Sequence, residues 1–207
     1  MLGDMTENRS VRTLRPDDTA ALRALAHPAR LAILGELRTN GPATVGTLAH
    51  ALTIAPGSAS YHLTVLAEHG FVGETDDRPP GRPVDKRSRW WRATDRTTSW
   101  EPSDVATTPE AAAAARELEA SILGVYHDRA LAALDRRPAL DPAWQRTHLL
   151  ADDNLPLTVT EAAELRAELE ALVGRWSARA LDRPRSSEPT MPVTLIVQTF
   201  PDPTSAP

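Results

Sequence analysis

Hydrophobic residues follow a helical rhythm through the first seventy positions. Pro16-Asp17-Asp18 reads as a helix start, with acids suited to the positive end of the dipole, and Leu22, Leu25 and Ala26 then share a face. Pro28 suits the first turn of a second helix carrying Leu31, Leu34 and Leu37, which Asn40-Gly41-Pro42 stops. Thr44 can cap a third helix with Val45, Leu48 and Leu52. After the turn Ala55-Pro56-Gly57-Ser58 comes a fourth, SASYHLTVLAEHG, with Leu63 and Leu66 on one side and Gly70 as its stop.

The period then switches from helical to alternating. Residues 71–75 (FVGET) and 89–94 (RWWRAT) are short and β-prone, and the stretch between them is full of Pro, Gly and charge. Two strands around such a loop predict a β-hairpin, with Trp91 facing in and Trp90 facing out. Three helices followed by a hairpin are the plan of a winged helix-turn-helix, in which a helix enters the major groove and the hairpin lies over neighbouring phosphates.

Helical spacing resumes at Glu110. Leu118, Ile122, Val125, Arg129 and Ala132 form one stripe, Leu123, Ala130 and Leu134 a second, and Pro138 ends the helix. Residues 148–150 and 155–157 read as extended. Thr158-Val159-Thr160-Glu161 predicts a capping box. The helix behind it runs to about Leu181, with Leu165, Leu169, Leu172 and Trp176 at 4-3-4 spacing, a coiled-coil-like seam. Residues 192–200 read as one strand, and Trp144 and Trp176 as core packing. The expected fold is thus α+β and mainly α. Residues 1–14 are a disordered N-terminus, 15–96 the winged helix-turn-helix domain and 97–109 a linker. Residues 110–200 are a C-terminal helical region with one or more short strands, and 201–207 a tail.

Composition narrows the function classes. Of 207 residues, 41% are hydrophobic and 25% charged, ordinary for a globular chain, and none is cysteine, which excludes disulfides, zinc–thiolate sites and a cysteine nucleophile. No apolar run is long enough to span a bilayer, and MLGDMTENRS lacks the apolar core of a signal peptide, so a cytoplasmic protein without membrane contact is expected. The net charge of −5 is uneven. Residues 1–100 hold 13 basic against 11 acidic residues, and 101–207 hold 10 against 17. Within 78–96 lie Arg78, Arg82, Lys86, Arg87, Arg89, Arg92 and Arg96 against Asp85 and Asp95, a local excess of five positive charges in the expected hairpin. Arg outnumbers Lys 22 to 1, so the clustering carries more information than the choice of Arg.

The stretches LRALAHPARLAILGEL, SASYHLTVLAEHGFV and RWWRAT, in that register, resemble the ArsR-like family of bacterial repressors over roughly residues 20–95. The resemblance implies a dimeric, DNA-binding transcriptional regulator and places Ser60 and His62 on the DNA-facing side of the fourth helix. With Leu63 and Leu66 facing the core, Ser58, Ser60, Tyr61, His62 and Thr64 are the polar positions left to meet base edges and phosphates. Arg78, Arg82, Lys86, Arg87 and Arg89 are the candidate phosphate contacts of the wing. The sequence has Ala55 where relatives carry a capping Ser or Thr, and Ser58 is the alternative cap.

Many relatives sense metals through a Cys-x-Cys in the third helix. Here that helix reads TLAHAL, so thiophilic sensing of that kind is excluded. His127-Asp128, His148 and Asp152-Asp153 are oxygen and nitrogen donors without paired i, i+4 histidines, and no metal or cofactor is assigned to them. Residues 110–200 are read first as a dimer scaffold and second as a pocket for a small-molecule effector. Two competing classes remain. A winged-helix protein-interaction module without DNA binding suits the acidic pI of 5.7. An enzyme is disfavoured, because no glycine-rich phosphate loop, G-x-S-x-G or H-E-x-x-H occurs.

Overall fold

The computed structural model describes residues 11–15, 18–77, 88–101, 104, 106–182 and 189–202. It divides into two compact units, residues 1–138 and 139–207.

In the first unit a short strand β1 (Val11–Thr13) leads to α1 (Thr19–Leu25), α2 (Pro28–Asn40), β2 (Ala43–Thr44), α3 (Val45–Leu52) and α4 (Pro56–Glu68). Strands β3 (Val72–Thr75), β4 (Trp90–Ala93) and β5 (Thr97–Ser99) follow, and then the long helix α5 (Pro109–Arg136). The helix boundaries follow local chemistry. Pro28 opens α2 behind His27, whose Nδ1 accepts from the Ala29 amide at 3.1 Å. Thr44 caps α3 by accepting from the Thr47 amide at 3.2 Å. Gly41 (φ 79) and Gly70 (φ 72) follow α2 and α4 in backbone conformations that side-chain-bearing residues resist. Ala55, at the N-cap of α4, offers no side-chain bond. Pro56 at the first helical position starts the helix instead, so Ser58 sits inside the first turn and is not the cap.

The core joins α1, α2, α3, α4 and the start of α5. Leu22, Ile33, Leu48, Leu63, Leu66, Phe71 and Leu118 are its largest fully buried side chains. Each contributes about 1.5–3 kcal/mol by leaving water. The sheet order is β2-β4-β3, antiparallel throughout, with Ala43 opposite Trp91 and Val72 opposite Ala93. This fastens the hairpin to the turn before α3. Trp91 and Ala93 pack against the core as their alternation predicts. Trp90 is on the other face, yet it is buried too, 7% exposed, and not the exposed residue that alternation suggests.

Two expected boundaries are corrected. Residues 11–13, taken as part of a disordered N-terminus, pair in parallel with residues 97–99, taken as linker. Leu14 is buried, and its amide donates to the Ser99 carbonyl at 2.9 Å. A strand of three residues needs a partner to hold it, and this one lies 86 residues away. Helix α5 also begins inside the first unit: Ala111, Ala114, Ala115 and Leu118 are buried and Ile122 packs on the core. Beyond that point its side chains reach solvent, with Leu123 and Leu131 about half exposed and Arg129 outside the buried stripe.

A 3₁₀ turn after α5 (Arg137–Ala139) spans the boundary, and the second unit holds a short helix α6 (Pro142–Gln145) and α7 (Val159–Leu181). The capping box forms as read: Thr158 Oγ1 accepts from the Glu161 amide at 3.2 Å, and the Glu161 carboxylate accepts from the Thr158 amide at 2.8 Å. Residues 192–200, 148–150 and 155–157 are not strands. Among the described residues of this unit no strand offers a ladder, and β-prone side chains alone do not make one. Trp176 is 55% exposed, not part of a core.

Candidate nucleic-acid interface

Helix α4 has two unlike sides. Ala59, His62, Leu63 and Leu66 are buried, at 3-1-3 spacing, and hold the helix against the core. Ser60, Tyr61, Thr64 and Glu68 are exposed, Ser58 is half-buried, and Ala55, Pro56 and Gly57 lie open at the N-terminal end. Tyr61 is 64% exposed. The Thr64 hydroxyl donates to the Ser60 carbonyl at 3.1 Å, which leaves its oxygen lone pairs outward as acceptors.

His62 departs from the expected arrangement. It is only 7% exposed, on the core side. Its ring lies 4.4 Å from that of His27, at the start of α2, and its Nδ1 is buried without a hydrogen-bond partner. Burial lowers its pKa from the ordinary histidine value, and the neighbouring His27 and Arg30 lower it further. A neutral, largely enclosed imidazole packs α4 against the start of α2. Counting Ala59 as apolar would have placed His62 in the buried stripe from sequence alone.

Ser60 and Thr64 face a cleft of about 640 Å³ that is also lined by Thr44, Glu68, Arg89 and Trp91. Three residues singled out from sequence (Ser60, Thr64 and Arg89) therefore converge on one concavity between α4 and the sheet, while Ser58 and Tyr61 stand apart from its lining. Arg89 bonds to Glu74 on the adjacent strand at 3.1 Å. Both side chains are well exposed, so the pair adds little stability. Arg78, Arg82, Lys86 and Arg87 lie outside the described residues.

Two arginines that sequence reading passed over set the frame of the site. Arg12, on β1, donates from Nη1 to the His69 carbonyl at 2.6 Å, and its guanidinium stacks 4.2 Å over the Phe71 ring. That ties the C-terminal end of α4 to the β1–β5 pair. Arg38, on α2, donates to the Asp95 carbonyl at 2.9 Å and to Thr98 Oγ1 at 2.7 Å, holding the chain just past the hairpin. Burial brings its pKa down to about 10 although Asp95 pulls the other way, so it is charged at neutral pH. Neither has a local sequence signature, since each acts on a segment more than fifty residues away.

Residues 25–74 match the family model described as a helix-turn-helix domain. They run from the end of α1 into β3 and contain α2, α3, the turn with Thr53 in left-handed conformation (φ 54), and α4. This segment is a helix-turn-helix domain. With the sheet behind it, the domain is winged.

Among solved structures the chain is similar to the homodimeric winged helix-turn-helix DNA-binding domain of a possible ArsR-family transcriptional regulator from Mycobacterium bovis. The identity is 26% over 55% of this chain and 82% of that one, with a TM-score of 0.30. It is also similar to a mutant apo form of Lactococcus lactis ZitR, at 17% identity over 77% of this chain and 85% of that one, with a TM-score of 0.27. No curated protein matches the chain. The family model matched is one of helix-turn-helix domains. Among the described residues no helix is long and apolar enough to cross a membrane, and no group of three or more His, Asp or Glu could hold a metal ion.

Proposed function

We propose that this chain is a sequence-specific transcriptional regulator, a repressor, that binds a pseudo-palindromic operator as a homodimer. The recognition surface is the outer side of α4, with Ser60, Tyr61 and Thr64 toward the major groove and Ser58 at its edge. Arg78, Arg82, Lys86, Arg87 and Arg89 supply phosphate contacts from the wing. The observation that carries the reading is the two-sidedness of α4: one side is locked into the core, while the other presents hydroxyls around the same cleft as Arg89. His62 leaves the set of contacts and becomes a support behind it.

The helix offers hydroxyls and one acid near its end, so attraction to a polyanion must come from the wing. Each phosphate neutralised steepens the dependence of log K on log salt by about 0.9. The test is binding of the full chain to DNA from upstream of its own reading frame, at two salt concentrations, with Arg82→Ala/Arg87→Ala beside the unmodified protein. The double variant should bind every sequence more weakly and with a slope flatter by up to about 2. No binding at low salt by the unmodified protein would favour the protein-interaction module, and an unchanged slope would remove the wing from the site.

A further inference from the structure

Among the described residues after Leu118 none is buried. Yet α7 is a capped helix of 23 residues with a regular apolar seam. Leu172 is 39% exposed, Val173 37% and Trp176 55%, and Leu165 and Leu169 are half-buried. A helix of this length gains most of its stability from burying such a face. Two features of α7 indicate what covers it.

The first is the seam itself. Leu165, Leu169, Leu172 and Trp176 are spaced 4-3-4, which reads the same in both directions. A second α7 running the opposite way sets Leu165 against Trp176 and Leu169 against Leu172, with no residue left over. The second is charge. Residues 159–170 carry Glu161, Glu164, Glu168 and Glu170 against Arg166, while residues 171–181 carry Arg175 and Arg179. Antiparallel pairing lays each acidic half on a basic half, and side-by-side parallel pairing lays like on like. In heptad terms Glu168 and Arg175 occupy equivalent flanking positions that meet across an antiparallel pair, once on each side of the two-fold axis.

From these features we propose that α7 is a self-complementary docking surface whose occupant is α7 of a second copy, antiparallel, with the axis between residues 170 and 171. This specifies an interface for the homodimer proposed above, and it is tested without DNA, so it can fail while operator binding stands, and the reverse.

The test uses the full chain. Sedimentation velocity over a concentration series should show a dimer that Leu172→Asp/Trp176→Asp shifts to monomer by at least tenfold in dissociation constant, with the melting transition of the winged domain unchanged. Orientation is read by introduced cysteine, of which the chain has none of its own. The Glu168→Cys and Arg175→Cys variants should each fail to cross-link alone under oxidation and should cross-link to each other when mixed. A monomeric unmodified chain, a dimer indifferent to the double aspartate variant, or a Glu168→Cys variant that cross-links to itself would overturn the proposal.

Discussion

The two units of this chain are held together by different physics. In residues 1–138, helices with ordinary capping are fixed because leucines from α1, α2, α3, α4 and α5 meet in one core. In residues 139–207, the helix α7 has the better local signals, a complete capping box and an i, i+4 pair between Arg166 and Glu170, and yet no described residue is buried. Local signals decide where a helix starts. Burial decides whether it is worth having. The first unit buries its own leucines, whereas the apolar seam of α7 stays largely open.

The sharpest way to break this contrast is to make the same substitution in both. Leu63 is fully buried, and Leu63→Ala should cost about 2–5 kcal/mol, enough to unfold much of the domain. Leu172→Ala, at 39% exposure, should change the denaturant midpoint of the winged domain by less than about 0.5 kcal/mol equivalent. Urea unfolding followed by tryptophan fluorescence reads both. Equal losses would show that the second unit contributes to the first unit's core after all.

Next in size is the outer side of α4. Tyr61→Ala and Thr64→Ala should leave the melting temperature of the domain within a degree or two. Each should weaken operator binding by about 1–3 kcal/mol if it reaches a base or phosphate. Fluorescence anisotropy with labelled DNA measures it. A loss of stability that tracks the loss of binding would move these residues from the interface to the fold.

Much of the winged domain was legible because its signals are local. Pro28, Thr44, Gly41 and Gly70 mark helix ends within a few residues of themselves, and the switch from helical to alternating spacing marks the hairpin. What escaped was non-local or depended on a close count. The pairing of β1 with β5 joins segments far apart in sequence, each too short to show a period. Arg12 and Arg38 act across similar spans. The outward assignment of His62 rests on the family resemblance and on counting it among the polar positions opposite Leu63 and Leu66, while the Ala59–His62–Leu63–Leu66 spacing points inward. The strand expected at 192–200 failed for the opposite reason: propensity is present, and among the described residues of this unit no strand lies beside it. Of the candidate contacts named from sequence, the cleft gathers Ser60, Thr64 and Arg89.

A smaller effect separates support from contact at His62. The folded chain holds this proton more weakly than the unfolded chain, whose imidazole keeps its ordinary value of 6.5. Stabilisation from the neutral ring is therefore complete above that value and is lost as pH falls below it. The slope cannot exceed about 1.4 kcal/mol per pH unit for one proton. His62→Phe keeps an aromatic ring against α2 and removes the titration. Its urea midpoint should fall less than that of the unmodified chain when the pH is lowered from about 7.5 to about 5.5, a window that spans the ordinary histidine value. Identical slopes would mean that His62 is open to water and free to meet DNA.

The smallest effect belongs to the cap of α7. Hydrogen bonds from the Thr158 amide and hydroxyl hold the Glu161 carboxyl below its ordinary value of 4.5, so the cap is complete above that pH and is lost as the pH falls through the lowered value. Thr158→Ala removes the bond to the Glu161 amide as well, at a cost of about 0.5 kcal/mol, the low end for caps, because this helix end is exposed. If α7 stood on local signals alone, this loss would show as a fall in helical ellipticity at every protein concentration. If a second copy finishes the helix, the fall should appear on dilution, below the dissociation constant of the dimer, and vanish above it. The concentration dependence of a minor helix cap thus reports whether α7 is stabilised from within or from outside.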